Sequence, residues 1–197
     1  MFVPVQTSAP AVAIISTADA KAHLNVDTSD DDTLIDSYVA AATERLDGRG
    51  GILGRCLITQ SWRQDYTAWD DKMRLPFPDV QSVSSVQYYD STNTLVTVNS
   101  SVYELIEDAG GSYVFFKDAF TEPTLYDDRS VRVQITFTAG YGAAATNIPQ
   151  PIIHAALLMV GDWYEHRSVA ITGAMTNAVP MAAAVSALLA PYKRIGP

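Results

Sequence analysis

Residues 138–142 read TAGYG, and residues 148–166 read IPQPIIHAALLMVGDWYEH. The first stretch ends an alternating run, VRVQITFTA, with two glycines around one tyrosine. The second opens with two prolines and continues as an apolar helix. Gly140 and Gly142 can take backbone angles closed to other residues and so turn the strand sharply, while Tyr141 packs its ring at the corner. Pro149 and Pro151 are expected in the first helical turn, where a missing amide proton costs little. Ile152, Ala156, Met159, Val160 and Trp163 then share one face of the helix, and Ile153, Leu157 and Tyr164 widen it. The passage reads as a joint at which a β region returns the chain to a helical body, with this helix as the spine of that body.

Upstream, the matching switch falls after Gly54. CLITQSWRQDY alternates, with Leu57, Thr59, Ser61 and Arg63 on one side and Ile58, Gln60, Trp62 and Gln64 on the other. Runs rich in Val, Ile, Tyr and Phe follow, bounded by Asp, Asn, Gly and Pro, giving five or six strands between Leu57 and Ala139 joined by short turns. The expected fold class is α+β: a helical body with an inserted small antiparallel β sandwich or barrel and an extended C-terminal segment. Residues 1–56 supply an arm and the first helices, 57–142 the inserted β region, and 143–197 the spine helix and C-terminal segment.

Before residue 56 the signals are helical. The first 13 residues carry Pro4 and Pro10 without periodicity and read as an extended arm. Ser16 and Asp19 form an S-x-x-D capping box ahead of TADAKAHL. In TSDDDTLIDSYVAAATERLDGRGG, Leu34, Ile35, Tyr38, Ala41, Ala42, Arg45 and Leu46 recur at helical spacing. Acidic residues crowd the first turn and glycines close the end, as helix polarity prefers. Near the C-terminus, Pro180 is placed to start a short helix with Met181, Val185, Leu188 and Leu189 inward, and Pro191 to end it.

The chain of 197 residues is long enough to bury a core without staples. Its net charge of −9 opposes sequence-independent DNA binding, which depends on Lys and Arg displacing counterions from phosphates. A single cysteine, Cys56, excludes an intrachain disulfide and a cysteine-based zinc site. No basic leader precedes the first apolar stretch, and AALLMV stops at Gly161 and Asp162, short of a membrane span. A soluble, non-exported protein is expected, with no membrane partner.

Chemistry-bearing motifs are sparse. Asp30, Asp31 and Asp32, the pair Asp70 and Asp71, and the pair Asp127 and Asp128 offer oxygens to a hard cation. The first cluster opens a helix and the others fall in turns, where aspartate serves the backbone. His154 and His166 are twelve apart on one helix and diverge by about 120°. Asp162 and His166 are set for an i,i+4 pair. Walker, nucleophile-elbow and H-E-x-x-H motifs are missing, and the glycines of DGRGGILG follow a helix where a dinucleotide fingerprint would follow a strand. No catalytic, metal or cofactor-binding residue is assigned. Two other readings remain open at this stage: a metal-dependent hydrolase using the clustered aspartates, and a carbohydrate-binding β module using aromatic pairs such as Tyr88 and Tyr89.

The order of features resembles the head-tail connector, or adaptor, proteins of long-tailed bacteriophages, prophages and gene transfer agents. AKAHLNVDTSDDDTLIDSYVAAATERL, LITQSWRQ, LPFPDVQSVSSVQYYD, ITFTAGYG with IPQPIIHAALLMVGDWYEHR, and LLAPYKR carry the resemblance in that order, from about Thr17 to Arg194. The tract from Ser168 to Ala184 departs from it in being unusually poor in charge. The resemblance implies a non-enzymatic structural protein without a cofactor. It implies a dodecameric ring of copies beneath the portal protein of a phage or phage-like particle, assembled in the bacterial cytoplasm. The ring would meet the next neck or tail-side protein, and DNA would pass through without tight binding. The C-terminal segment is the part implied to engage the portal. Its composition fits, because Val179–Arg194 has too little polar surface for a solvated tail. A partner groove would bury Leu188, Leu189 and Tyr192, while Lys193 and Arg194 meet acidic groups at its rim.

Overall fold

Val133, Ile135, Phe137 and Ala139 are buried while the residues between them are half-buried, the alternation of a strand with one face on a core. This strand is β8 (Val133–Ala139), and it organises the sheet around it in the computed structural model, which describes residues 2–166 and 180–194. The chain divides into two compact units. The first joins the residues up to Ala11 to Thr59–Tyr141, and the second joins Val12–Ile58 to the residues from Gly142 onward.

In the first unit, β1 (Val5–Ser8), β2 (Gln60–Tyr66), β4 (Val80–Tyr89) and β5 (Leu95–Thr97) join β8 in an antiparallel sheet of order β1-β2-β8-β4-β5. β2 runs along one side of β8 from Gln60 opposite Ala139 to Tyr66 opposite Val133, and β4 flanks the other side with two bulges. A second antiparallel sheet places β7 (Gly111–Phe116) between β3 (Lys72–Arg74) and β6 (Tyr103–Asp108). Phe77 is a node of the core, its ring centroid 4.8 Å from Trp62 and 6.3 Å from Phe137.

The second unit contains α1 (Thr17–Leu24), α2 (Asp32–Leu46), α3 (Gln150–Glu165) and α4 (Pro180–Leu189). Ser16 caps α1 as its sequence suggests: its Oγ accepts from the Asp19 amide at 3.1 Å and donates to the Asp19 carboxylate at 2.6 Å. Ile35, Val39, Ala42 and Leu46 form the buried stripe of α2. Ile152, Ala155, Ala156, Met159 and Val160 form that of α3, which packs against α1, α2 and α4. Trp163 stands at the half-buried margin with its ring against Tyr38.

The structure departs from the sequence reading in three places. Seven strands, where five or six were expected, lie between residues 57 and 139, because short β3 and β5 are too brief to show a period. The arm contributes β1, an edge strand on β2, and the buried Gln64 ties it down by donating from Nε2 to the Phe2 carbonyl at 2.9 Å. Leu57 and Ile58 are buried yet precede β2, since the Leu57 amide donates to Asp47 Oδ1 at 2.6 Å, just past the end of α2, and not to a ladder. In the C-terminal segment, Pro180–Leu189 is α4, starting where Pro180 was placed to start a helix, and Ala190–Tyr192 is a 3-10 turn holding Pro191. The inward position assigned to Met181 lies outside the described side chains, and residues 167–179 outside the described residues.

At the joint, Gly140 has φ of 135°, a region closed to residues with a β-carbon. Its carbonyl accepts from Gln81 Nε2 at 2.7 Å. Tyr141 is half-buried. Gly142 is required by space, because a β-carbon there would fall on the Asn147 side chain, 2.7 Å from its Cβ. Asn147 is held in place by the Ala144 amide, which donates to its Oδ1 at 3.1 Å. Pro149 is the residue before the helix and Pro151 its second residue, so neither removes an intrahelical bond.

The glycines after α2 do different work from one another. A β-carbon on Gly51 would run into the backbone of Leu46 and Asp47, whereas one on Gly50 meets nothing within 4 Å. Gly51→Ala is therefore expected to destabilise by about 1–3 kcal/mol and Gly50→Ala to change stability by less than about 0.5 kcal/mol, both read by urea unfolding. Gly142→Ala is expected to cost about 1 kcal/mol or more in the parent and less in an Asn147→Gly background, where the clash is gone and only the strain of the φ of 159° remains, a double-mutant cycle that separates the two.

A third expectation concerns the β6–β7 turn. Arg74 donates from Nη1 and Nη2 to both oxygens of Asp108, at 2.5 and 2.7 Å. These bonds, with the Gly110 amide and the nearby Lys72 charge, hold the Asp108 carboxyl down at about 2. A depressed native pKa stabilises the fold above the ordinary carboxylate range and loses that contribution as pH falls toward 2. Carboxyl-carbon NMR titration should place the Asp108 midpoint near 2 in the parent and closer to the usual range in Arg74→Gln.

Candidate functional site

Several of the aspartates that invite catalysis are tied into the scaffold. In the helical unit, Asp31 accepts from Tyr164 Oη at 2.6 Å, tying the start of α2 to α3, and Asp32 accepts from Lys21 Nζ at 2.6 Å, tying it to α1. Asp70 Oδ1 accepts from the Lys72 amide at 3.2 Å ahead of β3. Arg132 donates to the Asp127 carbonyl at 2.6 Å. Among the described residues, no group of three His, Cys, Asp or Glu side chains converges as a metal ligand set, and no helix is long and apolar enough to cross a membrane.

The histidines are distributed differently from the sequence reading. His166 pairs with Asp162 four residues before it, Nδ1 to Oδ1 3.3 Å, as the spacing suggests. His154 meets His23 of α1, ring centroids 6.3 Å apart and edge-on. That pairing is long-range, and no local signal in either helix discloses it. Both rings are exposed, and two imidazoles make an incomplete ligand set.

The aromatic residues considered for a sugar platform are likewise engaged. Tyr88 packs edge-on against Trp69, whose ring also meets Phe116 and Phe120 and whose Nε1 donates to the Pro123 carbonyl at 3.2 Å. Tyr89 is covered by the Arg129 guanidinium, 3.6 Å from its ring centroid. Tyr66 donates to the Arg74 carbonyl at 2.7 Å, and burial, then the Asp65 charge, pushes its phenol above the usual range. These rings fill a half-buried satellite core, which leaves no open aromatic shelf on these residues for a sugar to stack against.

The C-terminal segment separates into buried and outward-facing parts. Leu189 is fully buried and α4 packs on α3, so Leu189 is a core residue of its own unit. Hydrophobic spacing alone could not distinguish these outcomes, because a helix face buries equally well against its own chain or another. Arg194 is also tied inward: its amide donates to the Leu53 carbonyl at 3.0 Å, and its side chain lies beside Gly54. Burial, and then the charge of Arg55, lower the pKa of its guanidinium. Leu188 and Tyr192 are half-buried and Lys193 is exposed. Sequence reasoning singled out the glycines of DGRGGILG but gave that loop no partner, although its four glycines and the arginines at 49 and 55 mark a segment that another part of the chain can approach closely.

Charge is unevenly shared. Residues 59–141 hold twelve acidic and six basic side chains, while the spans 12–58 and 142–195 hold ten and seven. The β unit thus has net −6 and the helical unit −3. In the β unit the cations are spent locally, Arg63 on Asp65, Arg74 and Lys72 on Asp108, Lys117 on Glu104 and Arg132 on Asp127.

Comparison with solved structures places this fold among known ones. A chain of the virion of a native gene transfer agent particle matches with a TM-score of 0.75 at 22% identity, covering 98% of this chain and 96% of that one. A chain from the neck of an empty gene transfer agent particle, computed with C6 symmetry, gives 0.74 at 24% identity with the same coverage. One from the neck of a native particle, computed with C12 symmetry, gives 0.67 at 21%. No curated protein sequence matches. Residues 14–107, spanning α1, α2 and the strands through most of β6, match the family model of phage gp6-like head-tail connector proteins.

Proposed function

We propose that the protein is a structural head-tail connector subunit that forms a ring beneath the portal and joins the DNA-filled head to the tail of a phage or phage-like particle. The observation that carries this reading is the connector-family match over residues 14–107 within a fold shared almost end to end with chains of gene transfer agent particles. The portal protein binds one side of the ring and a neck or tail-side protein the other. A dodecamer assembled in the bacterial cytoplasm fits a twelve-fold site. Its role is non-enzymatic, since binding surfaces suffice to join two particles. DNA passes through without tight binding, because a unit of net −6 repels phosphates and offers few uncommitted cations.

Within this reading Leu188, Tyr192 and Lys193 meet the portal, and Leu189 and Arg194 hold the segment to its own helical unit. The exposed ammonium of Lys193 and the polar tip of Tyr192 suit a rim contact around an apolar anchor. Repetition around a ring multiplies a weak single contact.

Substitution is the suitable test, because truncation before α4 would also remove the buried Leu189. Tyr192→Ala with Lys193→Glu is expected to keep the parental melting temperature while failing to join portal-bearing heads to tails. Leu189→Ala is expected to destabilise by about 2–5 kcal/mol. Parental levels of joining by the double variant would remove the portal role from this segment.

A further inference from the structure

Five large apolar side chains among the described residues are conspicuously exposed: Val3 at 62%, Val12 at 46%, Val5 at 44%, Leu95 at 42% and Ile52 at 41%. Singly exposed valines are ordinary on protein surfaces. Here, however, three of the five lie on the two outer edges of one sheet, Val3 and Val5 at β1 and Leu95 on β5. We propose that the β1 edge of one copy pairs with the β5 edge of the next, so that the five-stranded sheets of neighbouring copies continue into one another around the ring. The proposal rests on the connector reading for the ring and on the sheet edges for the contact.

Edge strands of soluble proteins are commonly guarded by charge. Neither of these strands carries a charged residue, and the charges beside β5, Asp90 and Arg129, are bonded to the turn that precedes it. Residues 1–18 and 91–103 contain no Asp, Glu, Lys or Arg, although the same unit carries eighteen charged residues between 59 and 141. Two copies of a unit of net −6 repel each other over most of their surface, and these uncharged borders are where a second copy approaches at least electrostatic cost.

The backbone of β5 is directed accordingly. The Thr94 carbonyl accepts from the Asp90 amide and the Val98 amide donates to the Val86 carbonyl, so residues 94 and 98 face β4. Antiparallel alternation turns Leu95 and Thr97 the other way, with amide and carbonyl outward. All four residues of β1 are exposed, and β5 is one residue shorter. The buried Pro4 before β1 and the bulge between Gln6 and Ser8 limit pairing to a short ladder.

Strand direction supplies a geometric check. Each strand in the order β1-β2-β8-β4-β5 is antiparallel to its neighbour, so β1 and β5 run the same way. Copies related by the small rotation between neighbours in a ring keep that direction, and β5 of one copy meets β1 of the next in parallel. This is a head-to-tail contact between two different surfaces, the kind that closes into a ring, whereas a two-fold dimer would pair an edge with itself.

The test uses the full chain with cysteines at Thr7→Cys and Thr97→Cys and a short bismaleimide, the native Cys56 being buried. Treatment of the concentrated protein, and of particles carrying it, is expected to give a ladder of covalent multimers from the double variant and no multimers from either single variant. Thr97→Pro removes an outward amide and the exposed hydroxyl that accepts from Gln87 Nε2 at 3.2 Å; it is expected to lose the ring while keeping the melting temperature of a Thr97→Val control, which lacks only the hydroxyl. Absence of a ladder in particles, covalent dimers from a single variant, or rings formed normally by Thr97→Pro would each overturn edge pairing. A double-cysteine variant that joins heads to tails while giving no ladder overturns edge pairing and leaves the connector reading standing. A ladder from a protein that joins no particle leaves edge pairing standing and removes the connector reading.

Discussion

The pairing of β2 with β8 is the interaction on which the rest depends. β2 is where the chain re-enters the sheet unit after its first helices and β8 is where it leaves, and they are antiparallel neighbours in unbroken register from Gln60 opposite Ala139 to Tyr66 opposite Val133. Some seventy residues of intervening chain are closed by this one ladder. Closing so long a loop costs entropy that grows only slowly with length, which the seven-residue ladder and the core beneath it offset. The alternating Val133, Ile135, Phe137 and Ala139 fix which face of β8 points inward, and a slip of one residue would turn all four to solvent.

The helical unit solves a similar problem with segments from distant parts of the chain. α3 is apolar on most sides because it has helices on most sides, and polar ties then set where the others lie. Tyr164 reaches Asp31 and Lys21 reaches Asp32, so the carboxylates at the start of α2 both suit its helix polarity and bind it to α3 and α1. At the far end of α2, Gly51 lies where only hydrogen fits, and the Leu53 carbonyl receives the amide of Arg194. The last described residue of the chain is thereby part of the loop that follows α2.

A protein built to be gripped by others needs surfaces of distinct character, and the distribution of charge supplies them. The β unit spends its cations in pairs with its own carboxylates and keeps a surplus of acid, yet both borders of its larger sheet are neutral. The C-terminal segment, in contrast, keeps the exposed cation Lys193 beside the half-buried Leu188 and Tyr192. Among the carboxylates that suggest catalysis in the sequence, Asp31 and Asp32 hold helices together.

Much of this was legible in the sequence because it depends on local period. Helical spacing disclosed α1, α2 and α3, the S-x-x-D box disclosed the start of α1, and the changes of period near residues 57 and 142 disclosed where helix gives way to strand. Gly140 and Gly142 were recognisable as conformational, since glycines between a strand and a helix have few other uses. What a local pattern could not contain is the identity of the surface each face meets. Leu189 and Leu188 are equivalent as apolar residues near the end of a helix, and only packing on α3 makes the first a core residue and leaves the second at the margin. Val5–Ser8 has no period at all and becomes a strand because β2 offers it an edge. His23 meets His154, and Arg194 meets Leu53, through more than a hundred residues of chain. Sequence alone determined which segments form helices and strands, because backbone preference and amphipathic period act within a few residues. Tertiary structure alone decided which side chains remain free to bind, because burial is a property of the neighbours that folding brings together.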